Sequence, residues 1–340
     1  MPNRVLITGG AGFIGSNLAA YYVGKGWEVI VYDNLCRRGS ERNVTWLASL
    51  GKPNLTVVTG DIRDYEGLCK AASGADVVYH LAAQVAVTTS VENPREDFMV
   101  NALGTLNVLE AARRAPASPI VIYASTNKVY GGLDDVALVN VKGRYAYRDH
   151  DQGISEEFLL DFHSPYACSK GAADQYTRDY ARIYDLKTVV FRQSCIYGPH
   201  QFGVEDQGWV AHFVISAVLG RPITIYGDGR QVRDVLHVRD LIEAFDRAVE
   251  RIAVCCGQAY NLGGGPGNAV SLLELIHRLE AMLDRAIPLT FGDWRPGDQR
   301  VYISDIRKAR RDLGWKPRIA IDDGLKELWG WVETNKELFQ

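Results

Sequence analysis

Tyr166 and Lys170 close the run Ser164-Pro-Tyr-Ala-Cys-Ser-Lys170. On a helix their i, i+4 spacing puts both side chains on one face. A phenol beside an ammonium suits proton transfer at a hydroxyl-bearing carbon. A free tyrosine titrates near ~10, too high for a base at neutral pH. A neighbouring ammonium favours the phenolate and lowers that value. Thr126 ends the apolar run before Asn127, and its hydroxyl can share the proton path and polarise a ketone. Thr126, Tyr166 and Lys170 are therefore the candidate catalytic residues. Singly, Tyr166 reads as an amphipathic-helix tyrosine and Lys170 as a solvated charge. A second constellation near the start decides between these readings.

That constellation is Thr8-Gly-Gly-Ala-Gly-Phe-Ile-Gly15, set between an apolar run and a helical pattern. Gly9, Gly12 and Gly15 let a phosphate approach the backbone. The open amides at the helix start, around Phe13 and Ile14, and the helix dipole favour an anion. Asp33-Asn34 closes the next run. An acid there accepts hydrogen bonds from ribose hydroxyls and repels a 2′-phosphate, so NAD is favoured over NADP. Arg37 and Arg38 weaken that preference unless they are simply solvated. Asp61 and Ile62 follow the third strand and would flank the adenine. The positive nicotinamide ring would add to the ammonium's effect on Tyr166, and Lys170 would hold the nicotinamide ribose. A glycine turn without a ligand is the plainer reading of a lone pattern. The strand before, the helix after and the acid at the next strand end argue against it.

The elements that must position these residues alternate. Strands read as Arg4–Thr8, Glu28–Tyr32, Leu55–Thr59, Ala75–His80, Pro119–Ser125 and Lys187–Arg192. Helices read as Phe13–Lys25, Tyr65–Ala72, Arg95–Arg114 and Pro165–Tyr184, the last opened by a capping Ser164 and a first-turn proline. This βαβα rhythm predicts an α/β fold with a doubly wound parallel sheet, the Rossmann arrangement, whose ligands bind beyond the carboxyl ends of the strands. After residue 192 the rhythm loosens into glycine-rich loops and two helical patterns, around Ser271–Leu283 and Asp323–Thr334. The expected division is residues 1–192 plus about 233–262 for the dinucleotide domain. Residues 193–232 plus 263–340 make a smaller substrate-binding lobe. A polar insert at Gly131–His163 is either a lid or decoration.

The 340 residues are 47% hydrophobic, enough for a large core, and the net charge of −3 argues against nucleic acid or anionic membrane as partner. No apolar run approaches a membrane span. Met1-Pro-Asn-Arg leads straight into the first strand, so no signal peptide is expected. Cys36, Cys69, Cys168, Cys195, Cys255 and Cys256 have neither metal spacing nor a disulfide framework, so no metal is expected and a cytoplasmic setting is. No nucleophile elbow supports a Ser-His-Asp hydrolase.

At this point the chain resembles the extended short-chain dehydrogenase/reductase family of nucleotide-sugar epimerases and dehydratases. The resemblance spans nearly the whole chain. It rests on the glycine loop, Asp33, Asp61-Ile62, His80-Leu-Ala-Ala83, Asn101, Thr126, Tyr166/Lys170, Tyr197-Gly-Pro199, Arg233-Asp234 and Arg295-Pro-Gly-Asp-Gln299. It implies NAD kept through the cycle and a small nucleotide-sugar lobe. Leu81, Ala82, Ala83 and Asn101 would join the cofactor site. It also implies pairing through the Arg95–Arg114 and Pro165–Tyr184 helices into a homodimer or homotetramer. Longer runs, among them Gln84–Ser90, Ser125–Gly131, Asp161–Tyr166, Asp206–Trp209 and Gly229–His237, resemble the branch that inverts C2 of a CDP-hexose.

Inversion at C2 needs oxidation there to a flat ketone, a turn of the sugar ring with the nucleotide anchored, and hydride return to the other face. Gln84, Thr88, Asn127, His163, Gln193 and Gln201 are the candidate sugar contacts. Arg233, Arg295 and Asp298 are candidates near the diphosphate, since guanidinium groups match phosphate oxygens two at a time. Two departures from the family pattern stand out. Asn127 and Lys128 replace the acid pair that 4,6-dehydratases carry after the threonine. Cys195 replaces an asparagine before Tyr197-Gly-Pro199. A 4-epimerase or another nucleotide-sugar oxidoreductase is the alternative enzyme. A non-catalytic NAD-binding regulator is the third reading, disfavoured because the Tyr166/Lys170 pair is kept.

Overall fold

The computed structural model describes residues 3–295 and 298–339. The Met1-Pro2 lead-in and Pro296-Gly297 of the Arg295–Gln299 run therefore lie outside the described residues. Seven strands form one all-parallel sheet: β1 (Arg4–Thr8), β2 (Glu28–Asp33), β3 (Leu55–Thr59), β4 (Val77–His80), β5 (Ile120–Thr126), β6 (Thr188–Gln193) and β7 (Gln258–Leu262). Their spatial order is β7-β6-β5-β4-β1-β2-β3, the doubly wound arrangement that the alternation predicts. Side-chain alternation divides the two faces. Val5, Ile7, Val77, Tyr79, Ile120 and Ile122 point into one core cluster, with Leu18, Tyr22, Leu241 and Phe245. Leu6, Val78 and Val121 point into another, with Leu68, Val108, Leu109 and Tyr180. Helices thus cover both faces, as a parallel sheet requires.

A separate core joins the helices Trp209–Val218, Leu272–Leu283 and Ile321–Thr334 with Ile223, Ile225 and Val235. Short strands tie this region to the sheet's carboxyl edge: Cys195–Tyr197 runs parallel to Val232–His237, which also pairs with Ala269–Ser271 and Val301–Tyr302. The segment carrying Ala309, Leu313 and Trp315 packs into the sheet's own core, although it follows residue 263.

Strand β7 is not among the strands expected from the sequence, and two further elements differ from expectation. The single helix expected at Arg95–Arg114 is three pieces: Pro94–Phe98, a π-helical turn at Met99–Leu103, and Gly104–Arg114. Such turns concentrate at functional sites, and this one carries Asn101. The Gly131–His163 insert is no free loop. It contains a hairpin, Leu138–Val141 with Arg144–Tyr147. Tyr147 and Ile154 are buried with Val129, Tyr130, Val301 and Tyr302. The Tyr147 hydroxyl donates to the Val301 carbonyl at 2.9 Å, and the Asn261 amide donates to the Ile154 carbonyl at 2.8 Å. Its apolar positions are scattered among charges, so a polar reading of the sequence hides them.

Candidate active site

The cofactor cradle is built at the ends of β1, β2 and β4. Gly9 has φ +69, and a Cβ there would lie 2.6 Å from the Ala82 backbone nitrogen. A Cβ on Gly15 would lie 2.2 Å from the Gly9 carbonyl oxygen. Only glycine lets the turn, the following helix and the Leu81–Ala83 loop close up this tightly. Gly12 caps the Phe13–Gly24 helix with no side-chain acceptor, so the first-turn amides at Phe13 and Ile14 remain available to an anion. Asn43 braces the loop by donating to the Ala11 carbonyl at 3.0 Å.

Asp33 lies at the end of β2, as expected. Its carboxylate accepts from the Ala11 amide at 3.0 Å and from the Leu35 amide at 2.8 Å. Burial pushes its pKa up, and these amides act against the rise. Asn34 donates to Asp61 at 2.9 Å, and Arg63 pairs with the same carboxylate at 2.7 Å, holding Asp61 well below the usual carboxylate range. Ile62 is buried against Gly104, where a Cβ would meet its Cδ1 at 2.4 Å. The residues thus fit a dinucleotide: backbone at the phosphate position, an acid at the ribose position and an apolar side chain beyond.

Asn101 is 1% exposed and fully engaged by protein groups. It accepts from the Gln84 amide at 2.9 Å. It donates to the Gln84 carbonyl at 3.0 Å, to Asp97 at 3.0 Å and to Ser169 at 3.1 Å. It therefore ties the β4 loop to the Ser164–Tyr184 helix and orients that cradle from behind.

Thr126, at the end of β5, has a hydroxyl that acts to lower the Tyr166 phenol. Ser164 has φ 82, and its hydroxyl accepts from the Ala167 amide at 3.3 Å, opening the helix that carries Tyr166. Burial pushes the Tyr166 phenol up; the Thr126 hydroxyl lowers it, Asp97 raises it and Arg37 lowers it. Lys170 is engaged on β5. Its ammonium donates to the Ala124 carbonyl at 2.6 Å and lies 4.4 Å from the centre of the Tyr123 ring. Burial brings Lys170 down to about 7, with Asp174 and Asp97 opposing. In this cradle a positive cofactor ring would be the additional charge that favours the phenolate.

The candidate substrate residues fall into three groups. Gln193 is in register with Thr126 across β5 and β6, and its buried side-chain nitrogen has no hydrogen-bond partner. Asn127 beside it contacts Gln299 at 3.4 Å. The buried oxygens of Gln84 and Gln201 are likewise unpartnered. Arg233 donates to Asp298 at 2.6 Å. Arg295 pairs with Asp206 at 3.1 Å and stacks over Tyr226 at 4.1 Å. Thr88 and His163 stand outside these groups. Thr88 is exposed and reaches Asp206 at 3.4 Å, and His163 is exposed and pairs with Asp161 at 2.8 Å.

Sequence reasoning did not assign Asp97, Lys128, Gln207 or Gln299 to the site. Arg37, expected to weaken the NAD preference or to be solvated, instead crosses to the Gln207 side-chain oxygen, bridging the β2 loop to the segment before Trp209. Asp97 stands four residues before Asn101, a spacing that could have linked them. His80, at the end of β4, is a satisfied core histidine: it sits between the hydroxyls of Thr8 at 2.8 Å and Thr105 at 2.9 Å. Among the described residues no group of three His, Cys, Asp or Glu side chains could hold a metal ion.

A parallel sheet, a glycine cradle with an acid at the next strand end, and a Thr/Tyr/Lys set beside it define an NAD-dependent short-chain dehydrogenase/reductase. The chain belongs to the GDP-mannose 4,6-dehydratase family, whose model matches residues 6–328, a family of nucleotide-sugar epimerases and dehydratases that use NAD. It is 45% identical over 338 residues to CDP-paratose 2-epimerase of Salmonella typhi, covering 97% of this chain and 99% of that one. Among solved structures it is similar to a UDP-glucose 4-epimerase with UDP-glucose from Thermotoga maritima, with TM-score 0.84, 30% identity, and 98% and 99% of the two chains covered. It is also similar to a UDP-glucuronic acid 4-epimerase from Bacillus cereus in complex with UDP-glucuronic acid and NAD, with TM-score 0.83, 27% identity, and 97% and 99% covered.

Proposed function

We propose that this protein inverts C2 of a CDP-hexose of the paratose/tyvelose type, with CDP-glucose and CDP-mannose as further candidates. The observation that carries the reading is the 45% identity over nearly the whole chain to CDP-paratose 2-epimerase. The surroundings of Thr126 support it. Its chain neighbours are Asn127 and Lys128 rather than an acid pair, which disfavours elimination of water.

Bound NAD would supply the hydride acceptor and donor. Phe13 and Ile14 would offer amides to its diphosphate, Asp33 its carboxylate to the adenosine ribose, and Asp61 and Ile62 the walls for the adenine. Tyr166 would take the proton from the C2 hydroxyl and return it after the ring has turned over. Thr126 would share that proton and polarise the ketone. Lys170 would hold the nicotinamide ribose. Gln193, Gln84 and Gln201 carry unpartnered polar atoms suited to sugar hydroxyls. Arg233 and Arg295 would anchor the nucleotide while the sugar turns.

A 4-epimerase is the second reading, favoured by the likeness to the Thermotoga maritima enzyme. The proposal also includes two functional units divided near residues 192, 233 and 262, a cytoplasmic setting and a homodimer or tetramer. Phe98, Tyr176, Ile183 and Tyr184 are exposed on the two helices through which pairing is expected, supporting such an interface. No helix among the described residues is long and apolar enough to cross a membrane. The test is proton NMR of the purified protein with CDP-paratose, CDP-glucose and UDP-glucose and no added cofactor. Inversion at C2 of a CDP-sugar is expected; inversion at C4, or a 4-keto product, refutes the proposal.

A further inference from the structure

We propose that Lys128 is a substrate-positioning residue that grips the diphosphate of the nucleotide sugar together with Arg233; this rests on the nucleotide-sugar reading above. Lys128 lies in the 3₁₀ turn Asn127–Tyr130, directly after Thr126, and its backbone amide donates to the Thr126 hydroxyl at 3.2 Å. Its side chain runs toward Asp298. The ammonium stops 3.7 Å from Asp298 Oδ1, while Arg233 already donates to that same oxygen at 2.6 Å. Two cations thus converge on one carboxylate oxygen, and the arginine holds the short contact.

The Lys128 side chain is 24% exposed and that of Arg233 9%, so one positive charge is left over in a largely dry place. Such a charge is costly unless an anion arrives. Among the described residues neither cation makes an ion pair with a second carboxylate. Cys195 faces both cations, but burial pushes its thiol up and keeps it neutral. Asp234 is engaged by Ser194 and by the amides of Gly265 and Ser304. Arg295 adds a third cation toward Asp298, itself paired with Asp206. Burial and Arg233 both press the Lys128 ammonium toward its neutral form, and an incoming phosphate would relieve that pressure. A phosphate held here also sits close to Thr126, so the attached sugar falls over the Thr126/Tyr166 pair.

The test is calorimetric titration of the NAD-loaded protein with CDP and with cytidine, for wild type, K128M and K128R. Asp298 keeps its Arg233 partner in both variants, and melting curves with NAD content check that they fold. Wild type should bind CDP well above cytidine. K128M should lose at least about tenfold in CDP affinity, or about 1.4 kcal/mol, with cytidine unchanged and K128R close to wild type. In turnover the loss should fall on KM, with kcat changed less than about threefold. Unchanged CDP binding in K128M overturns the proposal. So does an equal loss for CDP and cytidine, which would indicate a structural role, or a loss confined to the sugar-bearing substrate. Failure of wild type to bind CDP at all overturns the nucleotide-sugar reading with it.

Discussion

Replacing Gly15 with alanine should empty the cofactor site while leaving the sheet intact. The new Cβ would lie 2.2 Å from the Gly9 carbonyl oxygen and 2.6 Å from Gly10 Cα. An ordinary contact there is roughly 3.5 Å, so the turn or the helix must give by about 1 Å. A shift of that size carries the first-turn amides beyond hydrogen-bonding range of a phosphate. Two hydrogen bonds to a charged group are then lost, together about 3–6 kcal/mol, or roughly 10²- to 10⁴-fold in NAD affinity. Gly24, in the same helix, is the control. A Cβ there meets nothing within 4 Å, so Gly24→Ala should keep NAD and gain up to about 1 kcal/mol of helix stability. NAD released from the purified, denatured proteins is measured against protein concentration, followed by titration of any empty sites. A Gly15→Ala protein carrying wild-type NAD would refute the reasoning, and so would an empty Gly24→Ala protein.

Other expectations follow from the same geometry. Tyr166→Phe removes the proton acceptor and keeps the ring's packing, so kcat should fall by about 10²- to 10⁴-fold; NAD content and substrate affinity, by calorimetry, should stay near wild type. Asn101→Ala strands Gln84, Asp97 and Ser169 in a buried place and should cost about 2–4 kcal/mol of unfolding free energy by urea denaturation. Burial lowers four histidines: His212 in direction, and three of them far, His80 to about 3 and His200 and His237 to about 4. Their folded values lie below the unfolded ~6.5, so the neutral forms stabilise the fold above that pH. This stability is lost as pH falls toward 4, by about 1.4 kcal/mol per histidine at pH 5.5, or about 4 kcal/mol for three independent sites. Urea midpoints that stay flat from pH 7 to 5.5 would contradict this.

Much of the cofactor half was legible because its chemistry is local. Gly9, Gly12, Gly15 and Asp33 are placed by strand ends, and strand ends are marked by β-branched runs and turn glycines. The catalytic geometry was only partly legible. The i, i+4 spacing put Tyr166 and Lys170 on one face, but the Ala124 carbonyl and Tyr123 ring that hold Lys170 lie on β5, distant in sequence. Strand β7 was hidden because Asn261 sits inside it; the residue is buried only because Tyr130, Ile154 and Glu156 satisfy its polar groups. The π-helical turn at Met99–Leu103 keeps a helical apolar pattern on both sides, so periodicity alone reads through it. The Arg37–Gln207 bridge and the Lys128–Asp298–Arg233 cluster join segments far apart in the chain, and only the fold brings them together.

The central claim is that one carbon of a nucleotide sugar is oxidised and reduced at the same cofactor, and that this carbon is C2. The direct measurement uses CDP-paratose labelled with deuterium at C2, incubated with the purified protein in ordinary water without added NAD. Proton NMR and mass analysis of the product should find inversion at C2 with the deuterium still on that carbon. Loss of the label to solvent, or inversion at C4 with C2 untouched, would contradict the account.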